Sequence, residues 1–118
     1  MKYCVERALD RLVSKLTREN LWIYIVRLLQ ERPMYGYEIA KEVRERFHVR
    51  VTNVGVYVVL YKMERDGLIE SFESGGSKMY RLAPGALDLW LRARSFISVI
   101  LKEVFNCDVD CGSGEVKG

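Results

Sequence analysis

The sequence predicts a mainly helical α+β chain in which four helices, a β-hairpin and a long fifth helix follow one another. Three observations predict it. Apolar residues recur at helical spacing over five stretches, Gly75-Gly76 separates two short segments of mixed polar and apolar residues, and proline or glycine punctuates several of the junctions. At 118 residues the chain has the length of one domain with a single modest core. Its 49% hydrophobic and 30% charged residues form a globular balance that excludes a disordered chain.

Residues 3–16 set Val5, Ala8, Leu9, Leu12, Val13 and Leu16 at helical spacing, with Glu6, Arg7, Asp10, Arg11 and Lys15 opposite, so the first helix is amphipathic. Thr17 or Asn20 is the expected cap of the second, LWIYIVRLLQE. That helix is apolar nearly all round until Arg27 and is expected to be buried. Pro33 ends it, because the residue before a proline avoids helical angles. Tyr35-Gly36-Tyr37 opens a third helix with Ile39, Ala40, Val43 and Phe47 inward and Lys41, Glu42, Arg44 and Glu45 outward. After an extended link over residues 48–51, Thr52 or Asn53 caps a fourth helix from about Gly55 to Asp66, with Gly67 as the stop. LIESFES and SKMYRLA, joined by the glycine pair, read as a hairpin. Pro84 suits a first helical position and opens the last helix, which runs to about Phe105 and is about 33 Å long at 1.5 Å per residue.

Helices three and four with a hairpin directly after them have the order of a winged helix-turn-helix. In that arrangement the second of the two helices lies in a DNA major groove and the hairpin reaches the backbone or minor groove beside it. The expected organisation is an N-terminal helix plus winged-helix domain over 1–83, a C-terminal dimerisation helix over 84–105 and a flexible tail over 106–118.

Charge and chemistry narrow the function. The net charge is +3, and residues 1–105 alone hold 18 basic against 13 acidic side chains, a modest excess compatible with phosphate binding. The N-terminus carries charges every few residues and has no uninterrupted apolar run. The most apolar run, Leu21 to Val26, is too short for a bilayer, so a cytoplasmic protein is expected. Cys4, Cys107 and Cys111 are an odd set with no framework, and one close pair with His48 falls short of a zinc site. Ordinary thiols are expected. The sharper alternative is a disulfide involving the tail, at home inside a cell chiefly in a hyperthermophile. No Ser/His/Asp set and no phosphate-binding glycine loop is evident, so neither an enzyme nor a cofactor is expected.

Two stretches carry a family resemblance. LLQERPMYGYEIAKEVRERF has the Pro-x-x-Gly-Tyr-Glu turn at Pro33, Gly36, Tyr37 and Glu38. In VYVVLYKMERDGLIES, Val56, Tyr57, Leu60, Met63, Glu64, Gly67, Leu68 and Ile69 follow a Leu-Tyr-x-x-Leu-x-x-Leu-Glu-x-x-Gly-Leu-Ile pattern, and Tyr80-Arg81-Leu82 closes the hairpin. Over about residues 21–105 the chain resembles the PadR-like transcriptional regulators, in particular short-armed members whose C-terminal helix dimerises. It departs from their usual Ser-x-Gly-Thr helix start, having Thr52-Asn53-Val54-Gly55, and Val58 stands where they carry proline. The resemblance implies a DNA-binding regulator, and some relatives sense small aromatic compounds.

The candidate DNA contacts follow. On the fourth helix Tyr57, Val58, Tyr61 and Lys62 lie opposite the core face, where apolar groups meet thymine methyls and hydroxyls or ammonium groups meet phosphates or base edges. A rival reading packs Val58 or Tyr61 on the first helix or a second copy. Thr52, Asn53 and Gly55 start this helix and present amides to a phosphate, with Arg50 just before them and Tyr37 at a second helix start. Ser77, Lys78 and Arg81 are the wing candidates. For a homodimer, Leu87, Trp90, Leu91, Ile97, Leu101, Val104 and Phe105 form a stripe longer than one winged core buries, and Leu9 and Leu12 belong to a stripe on the first helix. Trp90 and Phe105 alternatively line a cavity for a small aromatic ligand. The expected function is a sequence-specific repressor binding double-stranded DNA as a homodimer. A protein-interaction adaptor and an architectural or plasmid-partition protein are the competing readings.

Overall fold

The computed structural model describes residues 2–108, with side chains from Glu6 onward. The chain divides after Pro84 into two compact units. The first holds α1 (Lys2–Leu16), a 3-10 turn (Arg18–Asn20), α2 (Leu21–Leu29), β1 (Met34–Tyr35), α3 (Gly36–Arg46), α4 (Asn53–Arg65), β2 (Ile69–Ser74) and β3 (Ser77–Leu82). The second holds α5 (Ala86–Glu103). The fold is the mainly helical α+β winged helix expected from the sequence.

The core of the first unit gathers around α2. Leu21, Ile25, Val26, Leu28 and Leu29 of that helix are buried with Ile39, Ala40 and Val43 of α3 and Val56, Leu60 and Met63 of α4. Each large side chain taken fully from water contributes roughly 1.5–3 kcal/mol. Tyr24 ties α1 to this core: its hydroxyl donates to the Leu16 carbonyl at 2.7 Å and its ring lies 5.6 Å from that of Phe47. Burial pushes the Tyr24 phenol above its ordinary pKa.

The sheet has three antiparallel strands in the order β1-β3-β2. The hairpin aligns Phe72 with Met79 and Ser74 with Ser77. Gly75 and Gly76 turn between them with φ of 59° and 79°, the double positive φ that a two-residue hairpin loop matching the strand twist requires. The strand β1 extends the expected hairpin to a sheet, pairing Met34 with Tyr80 and Tyr35 with Met79.

Helix boundaries refine the expectations. Thr17 closes α1 instead of opening α2, its hydroxyl donating to the Val13 carbonyl at 2.6 Å. Asn20 precedes α2 but spends its side-chain amide on the Lys15 carbonyl. Pro84 is not the first residue of the last helix. Gly85, at φ 92°, stands in the cap position and the helix begins at Ala86. Of the thiols, Cys107 is free and exposed. The Cys4 side chain, Cys111 and the tail beyond Asp108 lie outside the described residues. No helix among the described residues is long and apolar enough to cross a membrane.

Candidate nucleic-acid interface

The helix α4 is fixed at both ends by local chemistry. Thr52 caps it, its hydroxyl oxygen accepting from the Gly55 N–H at 3.0 Å. At the other end the Gly67 N–H bonds the Glu64 carbonyl at 3.1 Å and the Leu68 N–H bonds that of Met63 at 2.9 Å, with Gly67 at φ 85°. This is the left-handed stop that glycine favours.

One side of α4 is core and the other meets solvent. Val56, Leu60 and Met63 are buried, whereas Val54 and Tyr61 are 72% and 67% exposed and Tyr57 and Val58 are also open. Lys62 and Arg65 share this outer side. Two tyrosines and two valines therefore stand on the surface of the first unit, so neither Val58 nor Tyr61 is packed away on α1. Tyr57 has a second contact. Its ring leans over the start of α3, where a Cβ on Gly36 would come within 2.3 Å of Cε1.

The wing candidates are exposed at Ser77, Lys78 and Arg81. Both cations have partners. Lys78 Nζ lies 3.6 Å from a Glu64 oxygen, whose other oxygen accepts from the Ser71 hydroxyl. Arg81 pairs with Glu70 across the hairpin at 3.2 Å and stacks over the Phe72 ring at 4.7 Å. Tyr80 is buried under the sheet, which raises its phenol pKa.

At the start of α3, the Glu38 carboxylate accepts the Tyr35 N–H at 2.9 Å and pairs with Arg32. The hydrogen bond from Tyr35 holds the Glu38 carboxyl below its ordinary range against the opposing effect of burial, with Arg32 adding to the lowering. Tyr35 donates its hydroxyl to the Ser74 carbonyl at 3.1 Å, tying α3 to the wing. Tyr37 stacks on Tyr35 with centroids 5.5 Å apart and remains exposed.

The residues before α4 line an open groove. Arg50, Thr52 and Gly55 meet there with Leu21, Val51 and Val59, and Arg18 and Arg44 join them. Arg44 donates to the Asn53 side-chain oxygen at 2.8 Å and to the Val51 carbonyl at 3.4 Å, so Asn53 is partly spent on the fold. Periodicity marks Arg44 only as one of several outward charges on α3, and Arg18 falls in a connection with no pattern. Their approach to Arg50 is a product of tertiary structure.

The apolar stripes are open in each unit taken alone. On α1, Leu9, Leu12, Val13 and Leu16 are exposed. On and after α5, Leu87, Leu91, Phe96, Val99, Val104 and Phe105 are exposed, while Trp90, Ile97 and Leu101 are half-buried.

Known proteins share this architecture. A PadR family transcription regulator from Clostridium difficile is 35% identical, with a TM-score of 0.58 over 72% of this chain and 93% of that one. A transcriptional regulator from Clostridium thermocellum is 25% identical, with a TM-score of 0.66 over 75% and 89%. A PadR family regulator from Eggerthella lenta, at 21% identity, shares the fold with a TM-score of 0.69 over 88% and 95%. Residues 25–85, more than half of the 118, match the family model of the PadR-like transcriptional regulators, and the chain belongs to that family.

Proposed function

We propose that the chain is a non-catalytic repressor that binds double-stranded DNA as a homodimer in the cytoplasm. The observation that carries this reading is the outer side of α4, where Val54, Tyr57, Val58 and Tyr61 stand exposed on a helix whose other side is core. Thymine methyls and phosphate oxygens offer these side chains partners that water does not. Thr52, Asn53 and Gly55 would place helix-start amides at a phosphate, and Arg50 and Lys62 would add charge. Ser77, Lys78 and Arg81 would follow the backbone or minor groove at the wing, with Tyr37 beside them. The apolar stripe of α5, with that of α1, supports the dimer, because contiguous exposed apolar surface on a globular chain marks an interface. Two recognition helices would then enter successive major grooves of a pseudo-palindromic site.

The test is a fluorescence titration against the chain's own upstream region and against random duplex DNA, at two salt concentrations. Binding that weakens steeply with salt and favours the upstream fragment is expected, since phosphate contacts release counterions. Equal affinity for both duplexes would replace the repressor by an architectural role. Absence of binding at low salt would replace DNA by a protein partner for the tyrosine-valine face.

A further inference from the structure

The cations of the first unit are unevenly committed. On the flank of α2 and α3, Arg46 and Arg27 share Glu31, and on the wing Lys78 and Arg81 are held by Glu64 and Glu70. Glu31 is accordingly held below its ordinary pKa, first by the hydrogen bond from Arg46. The groove before α4 is different. Arg18, Arg44 and Arg50 all line it, and none of them forms an ion pair among the described residues. Arg44 donates only to neutral oxygens, those of Val51 and Asn53. Asp10 lines the adjoining groove with Arg18 and Arg50 but pairs with neither.

Three arginines lining one groove, with the Glu19 carboxylate acting on Arg18 through charge alone, leave a positive excess that a seated anion neutralises. The anion must fit a groove that is open and whose walls at Leu21, Val51 and Val59 are apolar. A phosphodiester flanked by deoxyribose meets both conditions: charge for the guanidinium forks and a weakly polar sugar edge for the walls. The Thr52 cap and the amides that open α4 lie on the same groove.

We infer that this groove seats a backbone phosphate of duplex DNA and that Arg18 anchors it together with Arg44 and Arg50. The inference rests on the DNA-binding reading and deepens it. Arg18 lies ahead of residues 25–85, the part that matches the family, so the N-terminal segment adds a contact that the matched core lacks. The wing then contributes less than its sequence suggests, because its two cations already have partners.

The experiment measures binding of the full chain to one duplex across a range of salt concentrations, for the wild type, Arg18→Ala and Arg11→Ala. The Arg18 side chain is exposed and forms no hydrogen bond or ion pair among the described residues, acting on Glu19 through charge alone, so its loss is expected to leave the fold intact. Unchanged melting temperatures check this. Each phosphate contact contributes about 0.9 to the slope of log affinity against log salt. Arg18→Ala is expected to flatten that slope by about one while leaving the preference between duplexes unchanged. Arg11→Ala, on the preceding helix α1 and outside the groove, is expected to match the wild type. A wild-type slope retained in Arg18→Ala, or an equal loss in Arg11→Ala, would overturn the anchor and leave DNA binding standing. A wild type with no salt-dependent binding to duplex would overturn both.

Discussion

Gly36 and Tyr57 show how single residues set the geometry of the proposed interface. A Cβ on Gly36 would fall 2.3 Å from the Tyr57 ring, so Gly36→Ala forces that ring to swing away. The ring is partly exposed and has room to move, so the expected stability loss is about 1 kcal/mol, at the low end of overpacking costs. The expected loss of DNA affinity is larger, because Tyr57 is re-aimed on the face proposed to meet the major groove. Adding Tyr57→Ala tests the link: the alanine at 36 should cost nothing further in that background, as a double-mutant cycle measures. Tyr61 makes the complementary case. It is exposed, so Tyr61→Ala is expected to shift the preferred duplex in a binding-site selection with little change in melting temperature. An unchanged preference would remove Tyr61 from base contact.

Between elements, the start of α3 links the core to the wing and carries a pH dependence. The Glu38 carboxylate accepts the Tyr35 N–H, and that bond, with Arg32 behind it, depresses its folded pKa. A depressed carboxylate stabilises the fold fully above its unfolded value, about 4.3, and that contribution is lost as pH falls through the lower folded value. Thermal unfolding followed from neutral pH into acid is expected to show a fall in midpoint that Glu38→Gln partly flattens, while lowering the midpoint at neutral pH. Equal acid sensitivity in the variant would assign the effect to other carboxylates. The same region shows where sequence reading stops. The helices and hairpin were legible because each spans several periods of its own pattern and ends at a glycine, a proline or a cap. The strand β1 is two residues long, too short for any alternation, and exists only because Met34 and Tyr35 find β3 more than forty residues on. Pro84 misleads for a local reason: Gly85 takes a left-handed conformation after it, and the helix starts past both. The exposed side of α4 was readable from spacing alone, whereas the groove joining Arg18, Arg44 and Arg50 draws on a 3-10 turn, a helix and a link that no period relates.

For the whole molecule, the proposed function requires two copies, and α5 is where the requirement is most exposed to test. The helix is 18 residues, about 27 Å, and leaves Leu87, Leu91, Phe96 and Val99 open, with Val104 and Phe105 just beyond its end. Leu91→Glu places a charge in that stripe and leaves every residue of α4 and the wing unchanged. A carboxylate costs little on a surface and several kcal/mol in a dry interface, where it must be desolvated or protonated. The expected outcome by sedimentation is a dimer for the wild type and a monomer for Leu91→Glu at micromolar concentration, with an unchanged far-ultraviolet circular dichroism spectrum. DNA binding should then fall sharply for a pseudo-palindromic duplex and only slightly for a half-site, since one winged unit keeps its own contacts while the advantage of joined sites disappears. A variant that stays dimeric would move the interface off this stripe, and one that becomes monomeric with undiminished operator affinity would show that each chain reads its site alone.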